Sequence, residues 1–465
     1  MTSAFFGLDI IRRALAAQKL ALDVTAHNIA NANTPGFSRQ EAVQATTPPY
    51  TIPALNRPAA PGQLGTGVQI SQIRRLRDQF IDAQIRQEGQ SAAKWKAISD
   101  VLSQVEVIFN EPSDQGLSAV FSRFWSAWQE VARAPETIAV RASLREQAVT
   151  LAGAIRHTYE QLGQLRDQVD YSVSVKVDQI NTLARQIFDL NRQIANIEAV
   201  GDQANDLRDR RDLLVEELSK IADVTLSETS TGKLLVFLQG RPLVGETKVA
   251  ELAAVPDPLN GNLRSVQWAD TGQPVAFNNG EVAALLEVRD ATIPAYQGEL
   301  NAIAQALITN VNAQHRAGFD LNGAAGGDFF VGTGASDIDV DASIKADLTR
   351  IAASASGAPG DGTNALSIAQ LQFAKIMNGG TATIDDVYRG LISQLGVSAQ
   401  EAKRLRENQD LLVEQLTIRR EAISGVNIDE EVTNMIRYQH AFEAASRLAR
   451  AYDEILDTLI NELGR

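Results

Sequence analysis

The chain has no cysteine in its 465 residues. Disulfide scaffolds, thiolate zinc sites and cysteine nucleophiles are thereby excluded. The absence assigns no compartment, because a chain that must stay unlinked until it is outside the cell also avoids thiols. Long apolar runs are missing too: the strongest, Leu234 to Leu238, has a strand's length, far below the roughly 20 residues that span a bilayer. The opening MTSAFFGLDIIRR makes no secretory signal, since it lacks a basic leader and Asp9, Arg12 and Arg13 interrupt any apolar core. Export, if it occurs, uses a signal that stays on the chain. Positive charge is in deficit, with 43 Lys and Arg against 57 Asp and Glu, a net charge of −14 and a pI near 4.9. Phosphate backbones and anionic lipid surfaces want clustered cations, so neither a nucleic acid nor membrane insertion is expected.

What remains is an ordinary globular composition, 44% hydrophobic and 22% charged, in a chain long enough for roughly two to four domains. The first 33 residues read as one amphipathic helix, with Leu8, Leu15, Leu22 and Ile29 every seven residues and Ile11 beside them. Thr34-Pro35-Gly36 ends it, and Pro-Gly suits the centre of a type II turn. Residues 41–75 are rich in Pro, Gly and Thr and read as extended chain. Helix returns near Arg77, and a very long helical stretch covers about 136–198, closing on a three-four alternation from Ile180 to Ile197. Between 221 and 280 the period becomes that of strands, at Val224 and Leu226, KLLVFL, and Val266 and Trp268. Helix resumes from Glu281 to about His315, and helices after residue 366 run to Ser424. The last forty residues form another amphipathic helix, begun by a capping-box-like Asn427 and Glu430. Ile428, Met435, Phe442 and Leu456 share one seven-residue register with Leu463, and Tyr438, Tyr452 and Leu459 share a second.

Site chemistry is hard to find. The four histidines are scattered, with no H-E-x-x-H pair, no G-x-S-x-G elbow and no P-loop. Asp337, Asp339 and Asp341 begin like a calcium loop, but position six is Ala342 and position twelve Leu348, so a strand with an acidic face is the better reading. Asp320 to Asp328 reads as a Gly-rich turn rather than an ion grip. No cofactor, metal or catalytic residue is expected. Heptad stripes at both ends suggest helices near 50 Å long, at about 1.5 Å per residue, which would stand off a compact body and join subunits.

Two segments carry a resemblance. HNIANANTPGFSRQ at 27–40, preceded by ALAAQKLALDVTA, resembles the N-terminal signature of the flagellar rod, hook and hook-associated proteins. SGVNIDEEVTNMIRYQHAFEAASRLARAYDEILDTLINEL at 424–463 resembles the C-terminal signature of the same group. Inside the chain, FNEPSDQGLSAVFSRFWSAWQEVA, DLRDRRDLLVEELSKIADV, NAQHRAGFDLNGAAGGDFF and GAPGDGTNAL look like the hook-associated proteins that join hook to filament. A hook or distal-rod subunit would share the termini but not NAQHRAGFDLNGAAGGDFF. A wall hydrolase fused to a rod protein would need paired carboxylates in a pocket, which no segment demands.

The resemblance implies a non-enzymatic structural subunit, mainly α with a small β-rich domain. It would be exported through the flagellar type III apparatus to the outside of the cell and assembled as a ring at the hook tip. Implied partners are hook protein, the second junction protein, further copies of the chain, and an export chaperone on the C-terminal region. The expected pieces are a terminal coiled-coil assembly domain (1–40 with 426–465), a helical rod domain (41–220 with 281–425) and an outer β-rich domain (221–280). The passage from FFVGTGAS almost directly to GAPGDGTNAL implies that an outermost domain of longer relatives is absent. Expected interface residues are Leu8, Ile11, Leu15, Leu22, Asn28, Ile29, Asn31, Asn33, Pro35, Gly36 and Phe37, with Ile428, Met435, Tyr438, Phe442, Tyr452, Leu456, Leu459 and Leu463. The three asparagines offer donor and acceptor at a helix end, and Phe37 offers an apolar anchor.

Overall fold

A computed structural model describes residues 5–50 and 64–458. Long helices dominate. In chain order the elements are α1 (Phe6–Ala30), β1 (Gln40–Thr46), β2 (Val68–Arg75), α2 (Gln79–Phe109), α3 (Leu117–Arg133), α4 (Ile138–Glu198) and α5 (Asn205–Ile221). Then follow β3 (Val224–Glu228), β4 (Leu234–Leu238), β5 (Arg241–Val244), β6 (Leu252–Pro256), β7 (Arg264–Trp268), α6 (Glu281–Glu287) and α7 (Ile293–Arg316). The chain continues through β8 (Phe330–Val331), β9 (Asp339–Val340), α8 (Ala342–Ala346), α9 (Thr363–Gln370), α10 (Ile384–Ser424) and α11 (Ile428–Asp457). Each sheet is small and antiparallel, so the chain is mainly α, as its periodicity indicates.

The chain divides into two compact units. Unit 1 holds residues 1–90, 179–251 and 410–465, and unit 2 holds 91–178 and 252–409. In unit 1 the apolar positions of the α4 seam, Ile180, Leu183, Ile187, Leu190 and Ile194, are buried, while Ile197 is exposed at its end. Asn191 exchanges two hydrogen bonds with the Leu234 backbone, at 2.8 and 3.0 Å, and so ties α4 to β4. The extended 41–75 segment contains a β1–β2 hairpin, registered from Gln40 opposite Arg75 to Thr46 opposite Val68, with a bulge at Val43/Gln44.

Unit 2 is built on an aromatic cluster. Phe124 and Trp128 of α3 meet Phe329 and Phe330, with Trp128 and Phe329 ring centroids 5.0 Å apart. Asn312 holds the backbone of both phenylalanines through three hydrogen bonds of 2.7 to 2.9 Å. His315, fully buried, accepts from the Ala352 N–H at Nε2 and therefore donates from Nδ1 to the Gly327 carbonyl.

The strands between 221 and 280 do not form one piece. Sheet β3-β4-β5 lies in unit 1 and hairpin β6–β7 in unit 2. Each is tied into its own unit: Asp170 of α4 bonds both Arg264 of β7 and the buried Arg289, at 2.5 and 2.8 Å. A sequence period shows that a segment is a strand; which core it enters depends on partners far along the chain.

The aspartates that resembled an ion loop serve local roles. Asp337 accepts from the Thr333 and Gly334 N–H groups, Asp341 caps α8, and Asp339 pairs with Lys345 at 2.6 Å. Asp320 accepts from the Asn322 and Ala324 N–H groups, and Asp328 pairs with Arg316.

Candidate subunit interface

The two chain ends meet in unit 1. α1 packs along α11 on one side and against the β1–β2 hairpin on another. The reason is in the pattern: an apolar stripe wider than one seam must bury against two surfaces. Ala21 and Val24 of α1 form a small core with Ala42, against which Ile70, Ile73 and Tyr438 pack. Near the far end of the pair, Tyr452 lies against the α1 backbone, since a Cβ placed on Gly7 would collide with its ring.

The heptad residues take these places. Ile11 is buried, and Leu8, Leu15, Leu22 and Ile29 are half-buried on α1. Met435, Tyr438, Phe442, Tyr452 and Leu456 are half-buried along α11. Leu459 and Leu463 lie outside the described residues. Ile428 departs from the expected seam: it is 51% exposed, and Glu431 is the one residue of α11 that is fully buried.

A polar clamp explains the burial of Glu431. Its carboxylate takes an ion pair from Arg39 at 2.7 Å and a hydrogen bond from Asn28 Nδ2 at 3.0 Å. Asn28, 1% exposed, also donates to the Gln40 carbonyl and accepts from the Gln40 N–H, acting as a strand partner for the first residue of β1. Ser38 bonds Asp209 twice at 2.8 Å, and Arg75 pairs with the same carboxylate at 2.7 Å. Burial pushes the Asp209 carboxyl up, against the opposing pull of Arg75 and Ser38. A buried charge is tolerated only when it is paired and bonded in this way.

The turn after α1 is built as its residues require. Phe37 N–H donates to the Thr34 carbonyl at 3.2 Å, and Gly36 has φ +77°, which makes a type II turn with glycine at its third position. Asn31 donates to the His27 carbonyl and accepts from the Thr34 hydroxyl, both contacts within the turn. Asn33 and Pro35 are exposed, and Asn33 makes no hydrogen bond among the described residues. Phe37 is half-buried, with its ring edge-on to His27 at 5.4 Å. Asn33 to Phe37 line a groove of about 760 Å3 with Asp212 and Glu216 of α5 and the α10–α11 junction. Burial alone would raise the Glu216 carboxyl, but Arg420 at 2.7 Å, with Lys220 and Arg77 beyond it, holds the group below its ordinary value. Asn427 caps α11 by accepting from the Asp429 and Glu430 N–H groups.

Sequence reasoning singled out Asn28 but missed Arg39, Gln40, Ser38 and Asp209. Only the position of Arg39 and Gln40 just after the turn hinted at them. The pairing of α1 with α11 leaves apolar surface bare. Ile428, Val432 and Ile436 make one exposed row on α11 at four-residue spacing, and Leu448 and Ile455 make another at seven. Among the described residues, no helix is long and apolar enough to cross a membrane, and no three His, Asp or Glu side chains gather to hold a metal ion.

Comparison with known proteins agrees with this arrangement. Residues 102–330 match the helical domain of flagellar hook-associated protein FlgK. Residues 8–37 match the flagella basal body rod protein family, and 421–462 the flagellar basal body rod FlgEFG protein C-terminal family. Flagellar hook-associated protein 1 of Bacillus subtilis is 35% identical over 503 aligned residues, covering 100% of this chain and 99% of that protein. Its Escherichia coli counterpart is 26% identical, with 96% of this chain and 98% of that protein covered. The flagellar hook junction protein FlgK from Burkholderia pseudomallei has a similar fold, with a TM-score of 0.65 at 19% identity, over 73% of this chain and 100% of that one. On the full-length relationship, the chain belongs to the flagellar hook-associated protein 1 family and is a structural component of the bacterial flagellum.

Proposed function

We propose that this chain is the adaptor at the hook–filament junction, assembled as a ring of copies on the hook tip. The supporting observation is the helix pair of the two chain ends, whose seam is covered within the chain while the Ile428, Val432 and Ile436 row is not. An uncovered row of this kind beside a preorganised clamp suits lateral packing of further copies. The expected interface residues then divide: α1 and α11 seam residues hold the pair together, and Ile428, Asn33 and Pro35 face neighbours.

Hook protein and the second junction protein are its axial partners in this reading. Export runs through the flagellar type III apparatus to the cell exterior, with a chaperone on the C-terminal region. The role is mechanical, without catalysis, nucleic acid or membrane insertion. A test is to replace Ile428, Val432 and Ile436 together by Ser in a motile host. Because the three are exposed, the variant should fold and be exported. Hooks without filaments are expected; a normal number of filaments with the variant in place would remove the proposed contact. Peptidoglycan hydrolysis by the purified chain would overturn the non-enzymatic role.

A further inference from the structure

Unit 1 holds a second recess, of about 490 Å3, bordered by the end of β2, the start of α2, α5 and the β3–β4 edge. Arg74, Arg75, Arg77, Arg86, Arg208 and Arg211 line it, against the carboxylates of Asp82, Asp212 and Glu228. In a chain with net charge −14, this gathering of guanidinium groups runs against the composition.

The internal pairing does not use all of them. Arg74 is held by Glu41, Arg75 by Asp209 and Asp212, Arg77 by Asp82 and Asp212, and Arg208 by Glu198 and Glu228, all at 2.6 to 2.9 Å. Arg211, 2% exposed at its side chain, bonds Asn191 and the Gly232 carbonyl, while its Nε makes no hydrogen bond and meets only the Asp212 carboxylate at 3.9 Å. Arg86 has no hydrogen bond or ion pair among the described residues, although Asp82, Asp212 and Glu216 act on it from farther away. Burial disfavours the charged form of Arg86 and Arg211 alike. Asp212 is already shared by Arg75 and Arg77, so the main internal competitor for Arg86 is Asp82, a turn earlier on α2, whose Oδ1 makes no hydrogen bond and lies 3.9 Å from Arg420. A half-buried guanidinium with free donors, in a recess whose other arginines are already held by carboxylates or carbonyls, suits a planar or tetrahedral oxyanion that can take a forked pair of N–H bonds.

We propose that the recess binds an oxyanion through Arg86, with Arg74 at the rim. Two sources share this chemistry: a free inorganic anion such as phosphate, and a carboxylate presented by a neighbouring copy of this acidic chain. The second source rests on the assembly reading above; the first does not.

The full-length chain is titrated calorimetrically with inorganic phosphate at constant ionic strength, alongside Arg86→Gln, and self-association of both is followed by sedimentation with and without phosphate. Since Arg86 makes no internal bond, Arg86→Gln should keep the wild-type unfolding midpoint. Saturable phosphate binding that weakens at least about tenfold in the variant identifies a free-anion site. Self-association that weakens by a similar factor in the variant and is competed by phosphate identifies a carboxylate of a second copy. Phosphate binding and association both indifferent to Arg86→Gln overturn the proposal. So does a lowered unfolding midpoint without either effect, which would show Arg86 committed to Asp82.

Discussion

Replacing Asn28 by Asp tests the clamp at its centre with an almost isosteric change. The Nδ2 group donates to the Gln40 carbonyl at 2.9 Å and to Glu431 at 3.0 Å; an Asp there presents a carboxylate oxygen to both. The Gln40 carbonyl loses its donor, a cost of about 1–3 kcal/mol for a buried group. Two carboxylates about 3 Å apart repel by roughly 5 kcal/mol at an effective dielectric of 20. Arg39, 2.7 Å from Glu431, relieves part of that, and uptake of one proton by the pair limits the rest. A net loss of about 3–4 kcal/mol at pH 7 is therefore expected for unit 1. With a urea m-value of about 2 kcal/mol/M, the midpoint falls by about 1.5–2 M. Far-UV circular dichroism reads helix loss in both units. All four tryptophans, Trp95, Trp125, Trp128 and Trp268, belong to unit 2, so their fluorescence reads that unit by itself. The dichroism transition should move farther than the fluorescence transition. Much of the loss should return near pH 4, where one carboxylate of the pair is protonated. A midpoint shift below about 0.5 M, or an equal shift at pH 4 and pH 7, would refute the reasoning.

The Tyr452 contact predicts that Gly7→Leu pushes the far ends of α1 and α11 apart; hydrogen exchange at residues 6–14 and 449–457 should quicken while residues 21–28 keep their protection, and an unchanged pattern would dismiss the contact. In the free subunit the helix pair should show a gradient of exchange, slow around the Ala21, Val24 and Asn28 end and fast toward Phe6 and Tyr452, because the buried α11 position is at Glu431; uniform slow exchange in a verified monomer would contradict this. Burial holds the His315 pKa below its ordinary value of 6.5, so the unfolded chain takes up a proton that the folded ring refuses. Stability is complete above about pH 6.5 and declines as pH falls toward the depressed folded pKa, by at most about 1.4 kcal/mol per pH unit. His315→Leu should flatten that part of the urea-midpoint profile read by tryptophan fluorescence, and an identical slope would assign the dependence elsewhere.

Some of this protein is decided by short stretches of sequence acting alone. Seven-residue spacing makes α1 and α11 amphipathic, Pro35-Gly36 makes a type II turn because the pair's φ preferences allow little else, and Asn427 caps α11 with its own side chain. The two terminal signatures and the interior segments identify the family for the same reason, being contiguous. Other features exist only in three dimensions. Heptad spacing marks Ile428 for burial and Glu431 for solvent, and the fold reverses both, because Asn28 and Arg39, some 400 positions away, supply the donors that let a carboxylate be buried. The β1–β2 hairpin is hidden in Pro- and Thr-rich sequence, since a strand is stabilised by its cross-strand partner rather than by its own composition. The division of the 221–280 strands between units follows the same physics. Local periods say that a strand or helix forms, while tertiary contacts such as the ion pairs of the buried Asp170 with Arg264 and Arg289 decide which core receives it.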